Sequence, residues 1–261
     1  MTVTVLEVGA IAPIGHQEAM ELAAQEATRL LAVVATLTDD DWSRPTDCEG
    51  WDVKALLSHV LGAMEANARP REFMRQFRVA TKAAKRSGRP MVDEMTASQV
   101  KDHVALPPGE MARRLADVAP RAVRGRRRIP APLRRLPVKP GDPFPGSWKL
   151  GYLIDTIMNR DHWMHRVDLT RALGRELVVS AEHDGRIIAD VVSEWACVHG
   201  QPFTLVLDGP AGGTYVQRVA GNGGHTATDR ASTYQVDAVE FCRILSGRAS
   251  GSGLLNQEVP F

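Results

Sequence analysis

Up to Gly174 the apolar residues of this chain recur mainly at helical spacing, and shortly after it they alternate, so the chain must build two different kinds of core. From Ile14 the positions Ala19, Leu22, Ala23, Ala27, Leu30, Leu31, Val34 and Leu37 describe one long amphipathic helix that ends near Thr38. The stretch TDDDWSRPTDCEGW is dense in turn formers and closes just before Asp52, a good N-cap for a helix over 53 to 68. Further helices are expected over 71 to 86, 96 to 106 and 109 to 124, the third of these following Pro107-Pro108. Prolines at 130, 132, 137, 140, 143 and 145 break regular structure, and helix resumes at Ser147 until Gly174. Beyond that, SAEHDGRIIADVVSEWACVHG reads as a helix capped by Ser180, FTLVLDG and AGGTYVQRVA as strands, and VDAVEFCRILSG as a last helix. The expected class is α+β, with a helical domain over 1–176 and a small α+β domain over 177–261.

A length of 261 residues with 44% hydrophobic content leaves room for these cores. The net charge of +1 gives no global reason to expect nucleic acid or an anionic membrane as partner, so any basic partner site must be local. The strongest local concentration places ten basic residues and only Asp117 between Arg113 and Lys139, either a solvated connection or a lid that draws in anionic substrate. Three cysteines, none in a CxxC pair, fit a reducing compartment. With neither a secretory leader nor an apolar run of about 18 residues, the cytoplasm is the expected location.

The chemistry concentrates in RDHWMHRVDL, residues 160 to 169. Asp161 and His165 stand one helical turn apart and can present a carboxylate oxygen and an imidazole nitrogen to one point. His59, on the helix over 53 to 68, points across a small-residue face with Ala55, Gly62, Ala63 and Ala66 and could supply a third ligand. Two nitrogens and one oxygen suit a catalytic divalent metal such as zinc; the competing reading is a polar or hydrogen-bonded helix face. Asp168 either accepts the second imidazole N–H of His165 or pairs with Arg166 or Arg171 at the surface. His162 points about 100° away from Asp161 and reads as a surface or helix-contact residue. Trp42 and Trp51 read as core, and Cys48 as a conceivable redox thiol. The glycine clusters AGGT and GNGG precede no phosphate-binding helix, and no serine sits in a nucleophile elbow.

Taken together, DDDWSRPTDCEGWDVKALLSHVLG, RDHWMHRVDLTRALGR and VDAVEFCRILSGR resemble the mycothiol-dependent maleylpyruvate isomerase family, within the wider DinB-like metalloenzymes. The specific part of the likeness is Trp42, Thr46, Gly50-Trp51 and His59. The resemblance implies a DinB-like four-helix bundle holding a divalent metal, usually zinc, followed by a small sterol-carrier-like α/β domain. It implies His59, Asp161 and His165 as ligands, and mycothiol as the thiol that meets the metal. It also implies an active-site role for Arg248, which could pair with a substrate carboxylate. Aspartate stands at 161 where the family pattern has glutamate, so a metal must sit closer to that helix or take a water in the gap. The activity implied is thiol transfer or isomerisation of a small electrophile; a non-catalytic small-molecule binder and a metal-dependent hydrolase are the alternatives. The chain is expected to be a monomer or homodimer.

Overall fold

The structure is a computed structural model that describes residues 5–139, 144, 146–218 and 232–261. Two compact units result, one over 15–177 and the other over 1–14 with 178–261. The chain opens with strand β1 (Val5–Glu7) and continues through helices α1 (His16–Val34), α2 (Val53–Ala68), α3 (Pro70–Ser87), α4 (Met91–His103) and α5 (Pro108–Arg127). A short α6 (Ala131–Arg134) precedes the pair β2 (Pro137–Val138) and β3 (Trp148–Lys149). One turn, α7 (Leu150–Tyr152), then leads through a π-helical turn at Leu153–Ile157 into α8 (Met158–Ala172). The second unit adds α9 (Arg186–His199), β4 (Phe203–Asp208), β5 (Gly213–Gln217), β6 (Ser232–Asp237) and α10 (Ala238–Leu245).

In the 15–177 unit α1, α2, α5 and α8 share one core, in which Leu30, Leu57, Leu61, Leu115 and Leu169 are fully buried. This is the expected four-helix bundle. Asp52 caps α2 through a 2.7 Å bond from the Ala55 N–H to Oδ1. Helix α8 ends as its glycine predicts: Gly174 adopts φ +62°, the Gly174 N–H bonds the Arg171 carbonyl at 2.9 Å and the Arg175 N–H that of Thr170 at 3.1 Å. Helices α3 and α4 lie outside the shared core and pack on α2. Gly62 permits this approach, since a Cβ there would stand 2.7 Å from Cβ of Gln99 on α4.

Several boundaries differ from expectation. Helix α4 begins at Met91, directly after Pro90, rather than at 96, because the first turn needs no internal N–H partners and tolerates the proline before it. The proline-rich segment is not wholly irregular, since β2 and β3 pair antiparallel across it, and helix resumes at Leu150, after β3, rather than at Ser147. Residues 140–143 and 145 of that segment, and the GNGG cluster, lie outside the described residues.

The other unit holds a four-stranded sheet in the order β1-β5-β4-β6. β4 runs antiparallel to β5 and parallel to β6, and β1 runs parallel to β5. This last pairing places Val5–Glu7, in a segment read above with the bundle, in the sheet of the other unit. Trp195 of α9 centres the core, with ring centroids 4.7 Å from Phe203 and 5.5 Å from Phe241. Among the described residues no helix is long and apolar enough to cross a membrane.

A part-buried ion pair ties α4 to α2. His103 gives Nδ1–H to the Gln99 carbonyl at 2.7 Å, and its Nε2 lies 3.2 Å from Oε2 of Glu65. Burial opposes a charge on His103, yet the Glu65 carboxylate and the Gln99 carbonyl hold its pKa above 6.5. The same bond from His103 outweighs burial at Glu65 and holds it below 4.5. The raised histidine stabilises most below its unfolded value and the lowered carboxylate most above its own, so the pair contributes fully between about pH 4.5 and 6.5. Glu65→Gln should therefore lower Tm most within that window, with the difference from wild type narrowing by about pH 9. A Tm difference independent of pH would contradict the assignment.

Candidate metal centre

The motif of α8 is not a solvent-facing stripe. From Asn159 to Thr170 every residue except Asp161 is buried, and Asp161 keeps its side chain 27% exposed. The polar groups on this helix must therefore meet partners inside the bundle.

Across the bundle His59 is 8% exposed and brings its ring to within 5.0 Å of the His165 ring, centroid to centroid. Oδ1 of Asp161 stands 3.3 Å from Nε2 of His165 and 3.6 Å from Nε2 of His59. The outward nitrogens are committed elsewhere: Nδ1 of His59 lies 2.7 Å from Oε1 of Gln99, and Nδ1 of His165 lies 3.2 Å from Oδ2 of Asp168. Both partners are oxygen acceptors, so each Nδ1 carries a proton, and a ring with no second proton turns a lone pair toward Asp161. Three acceptors then face one another, an arrangement that needs a cation or a proton between them. For bonds of about 2.1 Å, ligand atoms at the corners of a tetrahedron stand about 3.4 Å apart, close to the two separations from Asp161. The donor set and its spacing thus fit zinc or a similar divalent ion, and the shorter aspartate reaches the same point as the two histidines.

Without a metal, a proton takes that place. Burial pushes His165 down, but Asp161 and then Asp168 outweigh it and hold the pKa well above 6.5. Asp161, despite burial, is held well below 3.8 by His165 and His59. His162 faces neither partner and is buried at 8% exposure rather than at the surface; burial pushes its pKa down to about 4, leaving it neutral.

A second set of convergent atoms joins Cys48, His165 and Asp168. Cys48 gives its S–H to Oδ2 of Asp168 at 3.3 Å, the same oxygen that meets Nδ1 of His165. Donors and acceptor are matched there, so this cluster does not call for a cation. Asp168 is fully buried, whereas Arg166 pairs with Glu26 at 2.7 Å and Arg171 with Asp47 at 2.8 Å.

The loop before α2 closes over this centre. Thr46 takes the Cys48 N–H at 3.2 Å through Oγ1 and gives its own hydroxyl to the Trp51 carbonyl at 3.0 Å, while Gly50 turns at φ +75°. Trp51, read from the sequence as core, stands half-buried, 5.4 Å from the His59 ring and 6.2 Å from the His165 ring, at 27° to the latter. Trp42 is core, as expected. Arg248 belongs to the other compact unit, where Gly247 turns at φ +76° after α10 and the Arg248 N–H closes the helix on the Arg243 carbonyl at 2.8 Å.

These features sit in a chain whose residues 23–170 match the family described as the mycothiol maleylpyruvate isomerase N-terminal domain. The chain belongs to that family. No curated protein matches it. Among solved structures, mycothiol-dependent maleylpyruvate isomerase aligns over 91% of both chains at 17% identity with a TM-score of 0.56. A histidine-to-alanine variant of that enzyme aligns over 90% of both chains at 16% identity with the same TM-score, 0.56. At these identities the likeness is one of fold, and it makes the bundle of this isomerase-family chain a DinB-like one.

Arg126, counted in the sequence among the residues of a basic connection, is instead 1% exposed. It donates to the Ile154 carbonyl within the π-helical turn and to Oδ1 of Asn159 at 2.8 Å. Burial draws its pKa down to about 10, so it stays charged at neutral pH. Wide turns of this kind leave a backbone carbonyl to be satisfied from outside, and Arg126 does so at Ile154, about two turns before Asp161. Arg126→Met removes that donor and should cost about 1–3 kcal/mol. A urea unfolding midpoint equal to that of wild type would show that the turn does not depend on it.

Proposed function

We propose that this chain is an enzyme of low-molecular-weight thiol chemistry. In this reading His59, Asp161 and His165 hold a divalent metal, zinc by donor type, and mycothiol is the thiol cosubstrate. The observation that carries it is the convergence of two imidazole lone pairs on one carboxylate oxygen, at 3.3 and 3.6 Å, with both Nδ1–H groups already held by Asp168 and Gln99. Membership of the isomerase family supports the thiol, and the matched segment, 23–170, contains all three residues.

When bound, a divalent metal supplies the positive charge that keeps a thiol deprotonated, and so nucleophilic, at neutral pH. The chain's own residues supply the rest. Asp168 holds His165 in one tautomer and orientation. Trp51 covers the two imidazoles with an apolar ring and limits the access of water to them. Asp161, the one ligand candidate that is part exposed, lies on the accessible side of the centre. The thiolate would add to a small electrophilic substrate, releasing it again in isomerisation or expelling a leaving group in transfer. Arg248 belongs to the proposal as the group that pairs with a substrate carboxylate.

Purified wild-type protein should carry near-stoichiometric zinc or another divalent metal, lost in Asp161→Ala and in His165→Ala. Turnover of an electrophilic alkene acid such as maleylpyruvate should require added mycothiol. A folded, metal-free wild type that cannot be loaded would overturn the metal reading. Turnover of the substrate with no thiol present would contradict the thiol-dependent reading.

A further inference from the structure

Nothing in the family resemblance assigns a role to α3 and α4, which lie outside the four-helix core. Their buried contact with α2 is polar where an apolar one would pack as well. Gln76 of α3 is fully buried, and Gln99 of α4 is 4% exposed. Burying two carboxamides at one helix contact is unfavourable unless each group finds its partner, and here each does.

The direction of these bonds is set from one end. Nε2 of Gln76 lies 3.0 Å from the Gly62 carbonyl and 2.9 Å from Oε1 of Glu72, two groups that can only accept. That end of Gln76 must therefore be the NH2, and its Oε1 points the other way. Oε1 of Gln76 accepts a hydrogen bond from Nε2 of Gln99 at 2.9 Å, which turns Oε1 of Gln99 toward Nδ1 of His59 at 2.7 Å. An oxygen at that distance accepts only from an imidazole protonated on Nδ1. The chain of bonds thus begins at a backbone carbonyl of α2 and ends by leaving Nε2 of His59, on the same helix, as a lone pair directed at Asp161.

We infer that Gln99 and Gln76 are positioning residues that hold His59 in its Nδ1–H tautomer and so set its strength as a metal ligand. The inference rests on the metal reading above. It also explains Gly62: any larger residue there would push against the side chain of Gln99 and break the relay. The two imidazoles are held differently. A neutral amide polarises His59, whereas the carboxylate of Asp168 polarises His165, so His59 depends on orientation rather than on added basicity for its hold on a metal.

If Gln99 is replaced by leucine, His59 loses its acceptor, both tautomers become accessible and the Nε2–H form faces the metal position. Groups in this relation to a ligand typically change metal affinity by about 10–100-fold. Competition between protein and a chelator for zinc should show a loss of that size for Gln99→Leu and a smaller one for Gln76→Leu. Gln99→Glu, which keeps an acceptor opposite Nδ1, should retain wild-type affinity even if its Tm falls. Nitrogen-15 NMR of the metal-free proteins gives the second readout: His59 should be protonated on Nδ1 in wild type and in Gln99→Glu, and mixed in Gln99→Leu. A folded Gln99→Leu that binds zinc as tightly as wild type would overturn the inference. So would His59 protonated on Nε2 in the wild type. Should the wild type bind no zinc at all, the metal reading fails, and the tautomer data still decide whether the relay orients His59.

Discussion

The side chain of Asp161 fixes what the surrounding residues have to do. One of its oxygens faces two imidazole nitrogens inside a helical bundle, at 3.3 and 3.6 Å, and a cluster of acceptors at that depth persists only if something positive sits among them. In the metal-free protein the proton on His165 meets that need, between Asp161 on one side and Asp168 on the other. A divalent ion meets it better, because it satisfies all three atoms together. Metal binding at this centre would accordingly be a displacement of protons, as ligand deprotonation requires.

Each element around the centre holds part of it in place. α2 presents His59 on its small-residue face, α8 carries Asp161, His165 and Asp168 on successive turns, and the loop of Thr46 and Gly50 brings in Cys48 and Trp51. The shared apolar core of α1, α2, α5 and α8 holds these pieces in place without entering the chemistry. Arg126 and Asn159 secure the π-helical turn at Leu153–Ile157 through its Ile154 and Asp155 carbonyls.

What was legible in the sequence follows from which interactions are local. α2 could be read at both ends because Asp52 caps it and its apolar stripe is regular. The trio of His59, Asp161 and His165 was legible because two of its members share a helix face and the third stands out on a small-residue surface. β1 and β6 were missed for opposite reasons. Val5–Glu7 is too short to show a period, and Ser232–Asp237 carries polar residues on its exposed positions, so only pairing with the sheet makes either a strand. No 3.6-residue periodicity could foresee the turn at Leu153–Ile157. Gln76 and Gln99 left no signal of their own, since their role depends on three helices meeting; Gly62, three residues after His59, was the local trace of that contact. The burial of Asp168 decided between partners that spacing alone left open.

The central claim is a location, and anomalous diffraction from a zinc-soaked crystal at the zinc edge tests it most directly. A single strong peak bonded to Nε2 of His59, Oδ1 of Asp161 and Nε2 of His165 is the predicted result. No peak at those three atoms at full zinc loading, or a peak instead among Cys48, His165 and Asp168, would contradict the account.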